Sequence, residues 1–296
     1  MEEIFEKYPY QLNDELIKAE IENIISSNID LNKDVDALKT IFSCIDLTTL
    51  SPTDSVKSVT AFVEKVNQFS KEYAEMPNVA AICVFPNYAD TVKTVLKVEG
   101  VNRAVVSAGF PNSQALQSIK VTETSLAIDG GANEIDVVIS IGEFFEGNYK
   151  HVFDELVKLK EACGDVHLKV ILETGLLNDP ELIWKASMLA MEAGADFIKT
   201  STGKVDPAAT HEAAYVMSKA IKEYTAQSGR VVGLKPAGGI STTSNAVAYY
   251  SIVKEVLGTM WLNNTWFRIG ASRLANELLN DILKLNGEAK ETVKFF

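Results

Sequence analysis

Three charged residues stand in apolar runs where packing gives no reason for a charge. Asp136 lies in Glu134-Ile135-Asp136-Val137-Val138-Ile139 and Lys199 in Asp196-Phe197-Ile198-Lys199-Thr200-Ser201. Lys235 lies in Val231-Val232-Gly233-Leu234-Lys235-Pro236, and Lys169, inside Leu168–Leu172, is a fourth case. Burying an isolated charge is costly, so each needs a partner or a shifted pKa. Two lysines converging on a semi-buried pocket have a specific chemical meaning. A free lysine, with a pKa near ~10.4, is almost wholly protonated at neutral pH and is no nucleophile. Desolvation and a second cation nearby both depress that pKa. The amine can then attack a carbonyl and form a Schiff base, while a neighbouring carboxylate moves protons. The competing reading is a plain ion pair, with Asp136 satisfying one lysine and doing nothing more.

The elements that must position these groups follow from an alternation in the sequence. Short apolar runs recur at Phe42–Leu47, Ala80–Phe85, Arg103–Ala108, Ile135–Ser140, Leu168–Leu172, Phe197–Thr200, Val231–Leu234 and Phe267–Gly270. Most are rich in Val and Ile, and each is too short for a helix, so they read as buried strands. Helical patterns lie between most of them. Asn112–Ile128 has Asn112 as N-cap, and Tyr149–Ala162 has an apolar stripe. Pro180–Ala193 and Pro207–Tyr224 each start with an aspartate before a proline, Asp179 and Asp206; Ser272–Leu285 follows the last strand.

Eight strands with helices between them point to a parallel sheet, and eight is the count that closes a ring. The expected fold class is α/β, a (β/α)8 TIM barrel with an N-terminal helical extension. An open doubly wound sheet is the alternative, but no GxGxxG turn follows the first strand. The expected division is a helical extension over 1–40, a barrel over 41–286 and a tail over 287–296. In the extension Ile17, Ile21, Ile24 and Ile25 form an apolar stripe suited to packing on the main body. In a barrel the chemistry sits at the C-terminal ends of the strands. Asp136, Lys199 and Lys235 together at that end favour the chemical reading over the ion pair.

Features suited to an anion lie beside them. Thr200-Ser201-Thr202-Gly203-Lys204 runs on from Lys199, Ala237-Gly238-Gly239 follows Lys235, and Gly270-Ala271-Ser272 follows the eighth run. Glycines let backbone N–H groups approach an anion, and phosphate sites after strands seven and eight recur in barrels. Each stretch alone reads as an ordinary turn after a strand; three in the expected loops are more specific.

Composition narrows the partners. The 296 residues carry 28 Lys+Arg against 40 Asp+Glu, a formal charge of −12, which opposes non-specific nucleic-acid binding. Cys44, Cys83 and Cys163 are too scattered for a disulfide framework, which fits a reducing, cytoplasmic setting. His151, His167 and His211 show no metal-ligand spacing. The acidic start does not read as a leader, and no stretch approaches the ~20 apolar residues of a membrane span.

From about Phe42 to Leu285 the chain resembles the deoxyribose-phosphate aldolase family of class I, Schiff-base aldolases. The resemblance rests on Ile45-Asp46-Leu47-Thr48-Thr49-Leu50, Ala81-Ile82-Cys83-Val84-Phe85-Pro86, Ala108-Gly109-Phe110-Pro111 and Glu134-Ile135-Asp136-Val137-Val138. It continues through Leu168-Lys169-Val170-Ile171-Leu172-Glu173-Thr174-Gly175 and Phe197-Ile198-Lys199-Thr200-Ser201-Thr202-Gly203. Lys235-Pro236-Ala237-Gly238-Gly239-Ile240 and Arg268-Ile269-Gly270-Ala271-Ser272 complete it.

The resemblance implies roles. Lys199 resembles the lysine that forms the Schiff base, Lys235 the second lysine that lowers its pKa, and Asp136 the acid/base that works with an ordered water. Asp46 and Lys169 look like members of the surrounding polar network, and Thr48 like a hydroxyl that contacts substrate. Cys83 matches a pocket cysteine, with a buried small hydrophobe as the equal alternative. Gly203, Lys204, Gly238, Gly239, Gly270 and Ser272 match phosphate-binding positions. Two departures stand out. Arg273 replaces a second serine, and either contacts the phosphate or turns to solvent. The chain ends Val293-Lys294-Phe295-Phe296, without the tyrosine that closes some members.

The implied activity is reversible cleavage of 2-deoxy-D-ribose 5-phosphate to D-glyceraldehyde 3-phosphate and acetaldehyde. No cofactor or metal is implied, and a homodimer is the family prior. The rivals are another class I aldolase acting on a different phosphorylated sugar, a silent barrel that binds a phosphorylated ligand, and a structural role for the N-terminal helix.

Overall fold

A strand of three to six residues cannot stand alone; it needs neighbours for its backbone and cover for both faces. The computed structural model, which describes residues 1–288 and 291–296, supplies both. Eight strands form one parallel sheet: β1 (Ile45–Thr48), β2 (Ala81–Val84), β3 (Asn102–Ser107), β4 (Glu134–Val138), β5 (His167–Ile171), β6 (Phe197–Lys199), β7 (Gly233–Lys235) and β8 (Ile269–Ala271). Each pairs with its sequence neighbour, and β1 also pairs with β8. The ring closes between β7 and β8 through the bridges Leu234–Phe267 and Ala237–Gly270. The fold is the expected (β/α)8 barrel.

The helices, in chain order, are α1 (Glu2–Lys7), α2 (Asp14–Asn28), α3 (Val35–Ser43), α4 (Val56–Glu72), α5 (Ala89–Val95), α6 (Gln117–Asp129) and α7 (Ile141–Phe145). They continue as α8 (Tyr149–Cys163), α9 (Thr174–Leu177), α10 (Pro180–Glu192), α11 (His211–Ser228), α12 (Thr243–Leu257) and α13 (Leu274–Leu285). Strand alternation sorts the residues. Ile135 and Val137 of β4, Leu168 and Val170 of β5 and Ile198 of β6 join the main core beneath the helices. The intervening Glu134, Asp136, Lys169 and Lys199 are buried on the other face, inside the ring.

Two expected helix starts move. Asn112 does not cap a helix. Its Oδ1 accepts from Gln114 N at 3.1 Å in a local turn, and α6 begins at Gln117. That turn is the familiar competition between an Asn side chain and a helix. The helix expected from Pro207 begins at His211, because the hydroxyl of Thr210, not the Asp206 carboxylate, accepts from Ala213 N at 3.1 Å. Residues 203–209 are thereby left as a loop over the C-terminal end of β6. Asp179 does cap α10, accepting from Leu182 N at 2.9 Å.

The first forty residues form more than one helix. α1 packs on α10 and α2 on α11 and α12, burying Ile17, Ile21 and Ile24, while Ile25 is half-buried. Trp184 Nε1 donates to the Tyr8 carbonyl at 2.9 Å, and Asn32 Nδ2 to Ser251 Oγ at 2.9 Å. At the other end, Asn276 and Asn280 hold the Val293–Phe296 backbone, and Phe295 and Phe296 pack on Phe69. Ala289 and Lys290 of the expected tail lie outside the described residues.

Candidate active site

The register puts the charged residues side by side. Lys199 and Lys235 are Cα partners across β6 and β7, and Asp136 and Lys169 are partners across β4 and β5. Partners in a parallel pair project from the same face, so all four side chains enter the ring. Asp136 Oδ2 accepts from Lys199 Nζ at 2.8 Å and from Lys235 Nζ at 2.7 Å; its Oδ1 accepts from Lys169 Nζ at 3.0 Å. The two lysines therefore meet at one carboxylate oxygen rather than opening to separate cavities.

Asp46, on β1, completes the network. Its Oδ2 lies 2.5 Å from Lys235 Nζ and 3.6 Å from Lys169 Nζ, and its Oδ1 accepts from Arg268 Nη1 at 2.7 Å. Below it, Glu134 accepts from Lys169 at 2.6 Å and from both Arg268 Nη1 and Nη2, at 3.1 and 2.7 Å. Glu134 and Arg268 were assigned no role from sequence. The signal was present: Glu134 precedes Asp136 by two, so a strand aims both the same way. Gly270 gives Lys235 its room, since a Cβ there would meet Ala237 Cβ at 2.7 Å and Lys235 Cε at 3.4 Å.

The opposite wall is apolar. Ala81 and Cys83 of β2 and Ala104 and Val106 of β3 form a small buried cluster with Leu50, flanked by Phe85 and Phe110. Burial pushes the Cys83 thiol up, so it faces the lysines as a neutral group. The interior is thus charged on one side and oily on the other.

Burial and charge act on these groups in opposite senses. Burial alone would raise the Asp136 carboxyl, but Lys169, Lys199 and Lys235 outweigh it and hold it well below the carboxylate range. Burial would likewise raise Asp46, and Lys235, Arg268 and Lys169 hold it down. For Lys235, burial favours proton loss, yet Asp136 and Asp46 keep its pKa above the ordinary value. Lys169 behaves the same way, with Asp136 and Glu134 overcoming burial. Lys199 is the exception. Burial lowers its pKa, Lys235 adds to that, and Asp136, the carboxylate it touches, is shared with two other ammonium groups and does not reverse it.

Lys199 also reaches the inner end of a cleft of about 400 Å³ at the C-terminal ends of the strands. Thr48, Gly203, Lys204, Gly238, Gly239, Gly270, Ser272 and Arg273, all singled out from sequence, line it. Thr48 Oγ1 donates to the Asp46 carbonyl at 2.8 Å. Lys204 spans the mouth, donating to the Leu50 carbonyl at 2.6 Å. Gly238 has φ +88°, and a Cβ there would lie 2.6 Å from Ala208 Cβ and 3.0 Å from Gly203 Cα, so the two glycine turns touch. Asp46, Cys83, Asp136, Lys169 and Lys235 lie inside the ring rather than on the cleft wall. Thr202 was missed. Its N–H and hydroxyl both donate to the buried Glu173 carboxylate, at 3.1 and 2.5 Å, which braces the loop before Gly203. Among the described residues, none from the N-terminal helices or the tail lines the cleft.

Among the described residues no cluster of His, Cys, Asp and Glu is arranged to hold a metal ion, and no helix is long and apolar enough to cross a membrane. The chain resembles known proteins over most of its length. A human deoxyribose-phosphate aldolase is 41% identical over 249 residues, covering 80% of this chain and 78% of that one. The bovine protein of the same name is 39% identical over 250 residues, 81% of this chain and 79% of that one. Among solved structures, an aldolase designated QR15 superposes with a TM-score of 0.68 at 28% identity, covering 83% of this chain and 98% of that one. A tetrameric deoxyribose phosphate aldolase from Aeropyrum pernix shares the fold, with a TM-score of 0.68 at 23% identity over 88% of this chain and 97% of that one. The profile of the DeoC/LacD family aldolase matches residues 40–266, and the chain belongs to that family.

Proposed function

We propose that the chain is a class I aldolase that reversibly cleaves 2-deoxy-D-ribose 5-phosphate to D-glyceraldehyde 3-phosphate and acetaldehyde. The observation that carries the reading is Asp136 Oδ2, bridged by Lys199 and Lys235 at the inner end of a glycine-turned cleft. Lys199 is the one lysine of that cluster that faces the cleft, and its pKa lies below the ordinary value.

The open-chain aldehyde enters with its phosphate among Gly203, Lys204, Gly238, Gly239, Gly270, Ser272 and Arg273. Turns with positive φ at Gly203, Gly238 and Gly239 turn backbone N–H groups toward an anion, and the start of α13 lies just beyond Arg273. Neutral Lys199 attacks C1. Asp136, ionised at rest, takes a proton from the attacking amine and passes it to the former carbonyl oxygen; a second proton, drawn from solvent through the cleft, lets that hydroxyl leave as water, and an iminium forms. The iminium draws the electron pair of the C2–C3 bond as the 3-hydroxyl loses its proton, releasing D-glyceraldehyde 3-phosphate. The remaining enamine is protonated at C2 and hydrolysed to acetaldehyde. The cationic imine does the work of an electron sink.

Borohydride added during turnover tests the reading. The expected result is a reduced adduct on Lys199, located by peptide mass analysis; an adduct on any other residue, or none, sinks it. A donor panel of acetaldehyde against dihydroxyacetone phosphate separates it from aldolases of other sugar phosphates. Arg273, exposed at the mouth, gives a second check. Arg273→Ala is expected to raise KM for the phosphorylated substrate roughly tenfold, the scale of one charge-assisted hydrogen bond. kcat should barely change, and cleavage of unphosphorylated deoxyribose should be unaffected.

A cytoplasmic location fits three free, buried cysteines. A homodimer is the assembly we carry from the resemblance, to be read by light scattering.

A further inference from the structure

The buried cluster has an unequal charge count. Inside the ring β1 contributes Asp46, β2 the neutral Cys83 thiol, β3 Ala104, Val106 and the uncharged Asn102, whose Nδ2 donates to Glu134 Oε1 at 2.9 Å, β4 Glu134 and Asp136, β5 Lys169, β6 Lys199, β7 Lys235, and the residue before β8 Arg268. Three carboxylates thus face four basic groups. A water-excluded cluster with one cation in excess sheds a proton from the member least compensated. Arg268 cannot be that member, because a guanidinium does not deprotonate in proteins.

Arg268 instead claims carboxylate capacity. It takes Asp46 Oδ1 at 2.7 Å and both oxygens of Glu134. Its Nε donates to the Asn264 carbonyl and its guanidinium lies over the Phe197 ring, so it is fixed in place. What remains goes to Lys169, through Glu134 and Asp136, and to Lys235, through Asp46 and Asp136. Lys199 is left with one oxygen that Lys235 also uses.

We infer that Arg268 and Glu134, neither of which lines the substrate cleft, are positioning residues that set the interior charge balance so that Lys199 is the amine left without its proton. This inference rests on the proposed role of Lys199, and extends the depressing influence from one neighbouring lysine to a fixed charge two strands away, over the Phe197 ring at the other end of β6. Arg268→Met leaves three carboxylates against three lysines and frees Asp46 Oδ1, so Lys199 keeps its proton. Glu134→Gln leaves two carboxylates against four basic groups and pushes Lys199 further toward the neutral form. The double variant restores an excess of one.

The test is the pH dependence of borohydride trapping with acetaldehyde as probe, in the full-length protein, with the labelled peptide identified. Acetaldehyde carries no phosphate, so the readout is independent of the anion site. The midpoint for labelling Lys199 should rise by about one pH unit in Arg268→Met and fall by about one in Glu134→Gln. It should return close to the parent value in the double variant, and stay close to it in Arg268→Lys, which keeps the charge. A merely structural role cannot move two midpoints in opposite directions. Midpoints that stay put, or move the same way, overturn the inference. If Arg268→Met does not fold, Glu134→Gln decides: a fall supports the inference, and no change or a rise overturns it. Failure of the parent protein to label at Lys199 would instead sink the proposed function, so the two failures are distinguishable.

Discussion

Lys199→Ala is expected to lower aldol cleavage by roughly 10⁴–10⁶-fold, the scale seen when a covalent nucleophile is removed from a site that still binds its substrate. Lys235 is not a substitute, although it is chemically the same amine and meets the same oxygen at 2.7 Å. It lies against Asp46 as well as Asp136, it keeps its proton, and it does not reach the cleft. The loss should therefore appear at every pH, with substrate binding preserved, because the glycine turns and Arg273 are untouched. The fold should survive. Asp136 keeps Lys169 and Lys235, and the excess cation disappears along with the residue. Melting close to the parent temperature, intact phosphate-sugar binding and no borohydride adduct are the expected set. Residual turnover above roughly a hundredth of the parent rate would mean that the imine forms elsewhere.

Which parts of this were legible in the sequence follows from what each part depends on. A strand aims alternate residues to one side, so period two set Asp136, Lys199 and Lys235 each opposite the apolar residues of its own strand, while the face they share with Lys169 follows from the cross-strand register. The eight apolar runs set the ring, with ends displaced by up to three residues, as at β7, where the run Val231–Leu234 became Gly233–Lys235, and at β1, where Phe42 of the run Phe42–Leu47 belongs to α3 and the strand begins at Ile45. The helix starts at Gln117 and His211 were hidden because they depend on a competition between side chains for backbone N–H groups. Asn112 closes a turn, and Thr210 rather than Asp206 finds the free donor. Glu134 and Arg268 were quoted in motifs without a role, since their importance is a property of the ring: residues 134 apart meet across it. The bare ion-pair reading also needed the third dimension. One carboxylate shared by three lysines is not a neutral pair, and only the cross-strand distances show the sharing.

Lys235→Leu is expected to move the acid limb of the pH–rate profile upward rather than scale the rate down uniformly. The sign follows from the lowered pKa of Lys199. Its amine works without a proton, and burial and then Lys235 are what lower its pKa. Removing Lys235 gives Asp136 Oδ2 to Lys199 alone and balances three carboxylates with three cations, both of which favour the protonated amine. A charge this close moves a pKa by about 1–3 pH units, so roughly 10- to 1,000-fold of the neutral-pH rate should be lost. The neutral fraction falls by a factor of about ten for every pH unit by which the pKa rises. Activity should return as the pH is raised toward the new pKa. Asp46 Oδ2 loses its nearest partner in this variant and keeps only Lys169 at 3.6 Å, while Oδ1 keeps Arg268 at 2.7 Å, so a lower melting temperature should accompany the kinetic change. The two effects separate cleanly: reduced stability scales the active fraction alike at all pH values below melting, whereas proton occupancy at Lys199 displaces the limb. kcat/KM measured between about pH 5 and 10 in parent and variant reads that displacement. A limb that stays in place while the rate falls would show that Lys235 serves Lys199 through contact alone, and that the neutral amine owes its state to burial.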